Sequence, residues 1–204
     1  MARPLRSLVP VLLAAATLVA VPAVAPAATG CAKRADEVRF DDGRLLVEHS
    51  DRTIDPRTVR ERWWACWRPT GRRTLIADRR RRDAAPGLAL QGLRRGRFVL
   101  LLGAGRLDVA DARAGRRTAR VAVTGVVREV VVTPQGRAAV LQDVGGGSSR
   151  LEAGDLARSC LLDAGPPEAG DGSVFGDLAV RGEHLAWHRE GLTFGAALNR
   201  LRCR

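Results

Sequence analysis

Val126-Val127-Arg128-Glu129-Val130-Val131-Val132-Thr133-Pro134-Gln135-Gly136-Arg137-Ala138-Ala139-Val140-Leu141 consists of two apolar runs joined by a Pro-x-Gly turn. Each run is shorter than an ordinary helix, and the first is dominated by valine, so both read as β-strands. Side chains alternate across a strand. Val130 and Val132 are therefore expected on one face and Val131 on the other. Apolar residues at all three positions predict a strand covered on both faces by neighbouring sheets.

The same turn recurs outward from this stretch. Phe40-Asp41-Asp42-Gly43 leads into Leu45-Leu46-Val47, Leu93-Arg94-Arg95-Gly96 leads into Phe98 to Leu102, and Val180-Arg181-Gly182 leads into Leu185-Ala186-Trp187. The turn glycines Gly43, Gly96, Gly136 and Gly182 lie 53, 40 and 46 residues apart. A second hairpin type, Trp67 to Arg73 and Ala110 to Arg117, repeats at a spacing of 44, and a related turn falls near Leu156 to Ser159. Two alternating hairpins at this period predict a four-stranded unit repeated about four times, the arithmetic of β-propeller blades. The expected fold is all-β, a β-propeller-like repeat domain of about four blades, incomplete or irregular, with a β-sandwich as the alternative. Asp55 to Trp67 also carries a helical spacing at Val59, Trp63, Cys66 and Trp67, but the Arg68-Pro69-Thr70-Gly71 turn behind it favours a hairpin.

Three segments carry a resemblance to secreted bacterial β-propeller repeat proteins of the TolB-like and WD-repeat-like kind. They are Val131 to Val140, the Leu107-Asp108-Val109 to Gly115-Arg116 hairpin, and Leu178 to Gly182 running into Leu185-Ala186-Trp187. The resemblance covers most of Val38 to Leu198, and no Trp-Asp dipeptide or Gly-His signature accompanies it.

The chain opens with Arg3 and Arg6, an apolar stretch from Leu8 to Val24 broken by Pro10 and Pro22, and small residues at Ala25, Ala27 and Ala28. This is the pattern of a secretory signal over residues 1–28, leaving a single domain over 29–204 with no transmembrane segment after cleavage. The expected location is secreted or on the cell-envelope exterior. Ala28-Thr29-Gly30-Cys31 resembles a degenerate lipobox, which supplies the alternative of a lipid anchor through Cys31. Cysteine parity favours disulfides instead: Cys31, Cys66, Cys160 and Cys203 are an even set suited to an oxidising compartment. Nearest neighbours would pair Cys31 with Cys66 and Cys160 with Cys203. Neither Cys-x-x-Cys nor a zinc-like His spacing occurs, so no metal and no cofactor is expected.

The formal charge is +12, of which the leader removes only Arg3 and Arg6, and Lys33 is the one lysine in the chain. Arginine abundance beside plentiful Ala, Gly and Val has the look of a GC-rich coding sequence. The charge is thus a weaker argument for an anionic partner than its size suggests. Arg79-Arg80-Arg81-Arg82, with Arg94, Arg95 and Arg97, is a candidate binder of phosphate, sulfated glycan or an anionic envelope polymer; the plain alternative is a solvated loop. Nucleic acid is not expected, because export and the lack of interleaved stacking aromatics argue against it. Trp63, Trp64 and Trp67 read as packing more readily than as a sugar platform. Val99 to Gly105 has the Gly-x-Gly of a nucleotide turn without its third glycine, so it reads as a hairpin. Glu183, His184, His188 and Glu190 read as a solvated strand face, and no nucleophile elbow or triad is present. No catalytic residue is assigned. The expected function is a secreted non-enzymatic binding or scaffold protein of unassigned ligand, with an anionic envelope polymer or another secreted protein as candidate partners; the alternatives are an extracellular hydrolase or lyase assembled from several blades, or a binder of anionic envelope polymers.

Overall fold

The computed structural model describes residues 31–32, 35–165 and 175–201. The expected leader over 1–28 and Cys203 lie outside the described residues. Fifteen strands, β1 (Glu37–Asp41), β2 (Leu45–Asp55), β3 (Thr58–Trp67), β4 (Arg72–Arg82), β5 (Ala89–Arg94), β6 (Phe98–Gly103), β7 (Arg106–Asp111), β8 (Arg116–Ala122), β9 (Val126–Val132), β10 (Ala138–Asp143), β11 (Ser149–Gly154), β12 (Ser159–Gly165), β13 (Phe175–Arg181), β14 (His184–Arg189) and β15 (Leu192–Ala197), form an all-β chain. No α-helix occurs among the described residues. The Asp55 to Trp67 window is β-structure on either side of a turn. No helix of the described residues is long and apolar enough to cross a membrane.

The strands make four antiparallel sheets, β1 to β4, β5 to β8, β9 to β12 and β13 to β15, each paired in sequence order. The recurring turns of the sequence are the first connection of each sheet. Gly43, Gly96, Gly136 and Gly182 all hold φ between +60° and +88° there, the left-handed region that a side chain would oppose. Gly136 is also tightly packed, since a Cβ on it would lie 2.5 Å from the Thr118 side chain. The second hairpin type is the third connection. Val99 to Gly105 is the β6–β7 hairpin, and Gly145 to Ser148 forms the β10–β11 loop.

Consecutive sheets stack face to face through three separate apolar clusters. Leu45, Val47, Trp63, Ala65, Trp67 and Ile76 of the first sheet meet Val99 and Leu101 of the second. Phe98, Leu100, Leu107 and Val109 point the other way, toward Val130, Val132, Ala138 and Val140 of the third. Ala139, Leu141 and Leu151 then meet Leu185 and Trp187 of the fourth, with Val131 packed against them. Strand alternation does the sorting: successive residues of β6, and again of β10, serve different interfaces. Val130, Val131 and Val132 divide between two sheets in the way the near-continuous valine run implies.

Cys31 and Cys66 are bonded, with Cα atoms 5.7 Å apart, which straps the segment before β1 onto the outer face of the first sheet. Cys160 is disulfide-bonded as well.

Glu152 on β11 is a buried acid with a consequence for pH. Burial pushes its carboxyl above the ordinary glutamate range, and the positive charge of Arg150 and a hydrogen bond from Ser159 only partly oppose the shift. The folded chain then binds this proton more tightly than the unfolded chain does, so stability falls as pH rises from the ordinary glutamate value through the raised one. Glu152→Gln is expected to remove that slope and to stabilise the protein at neutral pH. Urea unfolding of parent and variant at about pH 4 and about pH 7 checks the sign, the difference appearing only at the higher pH.

Candidate functional site

In a meander the first and third connections lie at the same end of the sheet, so both recurring turn types share one end of each sheet. Arginine follows the turn glycine at Gly43-Arg44, Gly71-Arg72, Gly96-Arg97, Gly115-Arg116 and Gly136-Arg137. A pocket of about 330 Å³ opens where the turns of three sheets converge. It is lined by Arg44 of the β1–β2 turn, Trp67 at the end of β3, Arg95 and Arg97 of the β5–β6 turn, Arg113 of the β7–β8 turn, and Pro134 of the β9–β10 turn.

The acids of this end are committed to holding the turns. Asp42 Oδ1 accepts from the backbone N–H of Arg44 at 2.9 Å and of Leu45 at 2.7 Å. Burial raises the Asp42 carboxyl, but these two hydrogen bonds and the charge of Arg44 outweigh it and hold the group below the usual aspartate range. Asp111 Oδ1 accepts from Ala114 N–H at 3.0 Å, and its other oxygen lies 3.4 Å from Arg97 Nε. Asp41 accepts from Gly43 N–H and from Arg68. Arg44 lies over the Trp67 ring, 5.4 Å from its centroid, while Arg113 is exposed with no ionic partner among the described residues. Guanidinium groups so placed present forked donors to an incoming anion, and the indole face orients one of them.

The arginines singled out in the sequence divide differently from expectation. Arg79 to Arg82 lie in β4 rather than a loop, and the alternation of the strand splits them. Arg79 Nε donates to Glu61, and Arg81 donates to Asp51 at 2.6 Å, so both are consumed internally. Arg80 points to the opposite face, into a groove of about 300 Å³ shared with Arg52, Arg60 and Arg62. Asp78 neutralises part of that groove through paired contacts with Arg60 at 2.8 and 2.7 Å. The Arg60 hydrogen bond outweighs burial and draws the Asp78 carboxyl down. Arg94, Arg95 and Arg97 reach across to the third sheet: Arg94 Nε donates to Val130 O at 3.0 Å, Arg95 Nε to Val132 O at 2.9 Å, and Arg97 to Pro134 O.

A cluster that sequence reasoning missed sits where β2, β3 and β4 run on past the second sheet. His49 is 8% exposed and packs against Trp63 with ring centroids 4.5 Å apart. Its Nε2 lies 3.3 Å from Asp51 Oδ1 and 3.6 Å from Glu61 Oε1, and its Nδ1 lies 3.5 Å from Glu37. The three side chains have a metal-ligating composition. Their second contacts oppose a cation. Glu61 Oε1 already accepts from Trp63 Nε1 at 3.0 Å and from Leu88 N–H at 2.6 Å, and Arg79 and Arg81 place positive charge on the outer oxygens of Glu61 and Asp51. The cluster is a self-neutralised ion network, and the sequence signal for it was a His-x-Asp continuing the core-facing series Leu45, Val47.

His184 and His188 are exposed on the outer face of the fourth sheet, and His188 Nδ1 contacts Thr193 Oγ1 at 3.2 Å. Glu183 is directed to Arg137 at 2.6 Å instead of toward either histidine. Trp63 and Trp67 are buried between the first two sheets, and Trp64 carries Arg73 on its face, so the three do not form a platform. No protein-family model matches the chain, and no curated protein matches it.

Proposed function

We propose that the protein is an exported, non-catalytic, β-propeller-like binding module whose turn face takes an anionic polymer of the cell envelope. The observation that carries this reading is the convergence of Arg44, Arg95, Arg97 and Arg113 around Trp67, at an end of the sheets where the nearby acids are bound to the turns themselves. The leader pattern of residues 1–28, the Cys31–Cys66 disulfide and four serial meanders support the exported repeat-module part of the reading. The ligand class follows from the spread of the arginines over three turns of two adjacent sheets, which suits an extended chain of phosphate, sulfate or carboxylate groups better than one small anion.

Polyphosphate and a sulfated glycan serve as probes. Arg44→Ser with Arg113→Ser removes the two arginines that make no contact to another sheet's backbone and should lower affinity by at least about tenfold, since a hydrogen bond to a charged group is worth about 1.5 to 3 kcal/mol. Arg52→Ser with Arg80→Ser, in the groove on the outer face of the first sheet, should leave affinity nearly unchanged. Affinity should also fall steeply with salt. Loss in the second pair but not the first would move the site to the groove, and no binding of either probe by the parent would remove the reading.

A further inference from the structure

Each sheet has two edge strands whose outer N–H and C=O groups invite pairing with another chain, and a charged side chain on the edge is the usual deterrent. Among the described residues β1, β4, β5, β8, β9, β12 and β13 each carry at least one. The remaining edge, β15, reads Leu192-Thr193-Phe194-Gly195-Ala196-Ala197 and carries none. Among the described residues it also closes a sheet of three strands where the others have four, and it leaves Leu192 62% and Phe194 38% exposed.

The direction of its free groups follows from the ladder. Leu198 N–H donates to Glu183 O at 2.8 Å, and β15 pairs with β14 as Ala197 with His184 and so on in register to Leu192 with Arg189. Alternation then turns the backbone groups of Ala196, Phe194 and Leu192 toward β14 and those of Ala197, Gly195 and Thr193 away from it.

The geometry points to a second copy of this chain on the β15 edge, the two β15 strands pairing antiparallel about a two-fold axis at Gly195. In that register Gly195 meets its own mate, Thr193 meets Ala197 of the second copy and Phe194 meets Ala196 of the second copy. All three outward-facing residues of each strand find hydrogen-bond partners, and large side chains oppose small ones across the seam. Charge selects the same edge: copies of so basic a chain repel wherever arginines meet, and this is the edge where that cost is least.

Light scattering and sedimentation equilibrium of the exported chain at physiological salt test this. The parent should have the mass of two chains at micromolar concentration. Thr193→Lys, which sets a charge on the seam, and Ala197→Pro, which removes an outward N–H at a φ of −86° close to proline's range, should each give the mass of one chain with an unchanged circular dichroism spectrum. Gly195→Cys should cross-link the two copies through the axis under oxidising conditions. A one-chain parent at every concentration, a dimer that survives both edge variants, or a Gly195→Cys chain that runs only as monomer on a non-reducing gel would each overturn the proposal.

Discussion

Leu100→Ala and Leu101→Ala are both expected to cost about 2 to 5 kcal/mol of stability, although the two residues are neighbours in one strand. Both are at most 2% exposed, but Leu100 belongs to the interface between the second and third sheets and Leu101 to that between the first and second. Because the two residues serve clusters that share no residue, the double variant should lose more than either single one and forfeit much of the roughly 5 to 15 kcal/mol that holds a domain of this size together. Guanidinium unfolding with both variants checks it. In a sheet with one wet face, one of the two substitutions would be nearly silent.

Glu61→Leu should be comparably damaging for a different reason. Glu61 is 1% exposed and is the common acceptor for Trp63 Nε1, Leu88 N–H and Arg79 Nε. Removing the carboxylate strands one half-buried guanidinium and two buried donors, and breaking a buried pair from one side typically costs about 3 to 5 kcal/mol. Glu61→Gln keeps an acceptor for Leu88 N–H and Trp63 Nε1 but sets an amide NH2 against Arg79 in place of Oε2, so its loss should be smaller than that of Glu61→Leu. The space is confined, since a Cβ on Gly87 would lie 3.1 Å from Glu61 Oε1, which ties the connection between the first two sheets to the same residue. Denaturant unfolding of both variants separates loss of the Arg79 pair from loss of every acceptor at the site.

Much of the sheet order was legible in the chain because it rests on local chemistry. Glycines that need positive φ mark the first turn of each sheet, and unbroken apolar runs such as Phe98 to Leu102 mark strands used on both faces. The proposed binding face was legible only in pieces. Arg44, Arg97 and Arg113 each occupy an ordinary turn position, and their meeting around Trp67 is created by the stacking of the first two sheets, which no local spacing encodes. The run Arg79 to Arg82 misled for the converse reason: four adjacent charges look like one patch until strand alternation sends Arg79 and Arg81 to Glu61 and Asp51 and leaves Arg80 outside. His49, Asp51 and Glu61 look like ordinary exposed polar residues in sequence and are recognisable only by parity, His49 and Asp51 with Leu45 and Val47, and Glu61 with Trp63 and Ala65.

The reach of Arg94, Arg95 and Arg97 onto carbonyls of the third sheet has a bearing on how the chain can vary. Arg94 and Arg95 bond through Nε, a donor partway along the side chain that lysine does not possess, and Arg94 also donates from Nη1 to Leu93 O at 3.0 Å. An exchange of arginine for lysine there would preserve net charge and lose the bridge. What composition alone presents as a genome's codon habit is, at these positions, a mortar between one sheet and the next, and its chemistry narrows the substitutions the seam can accept.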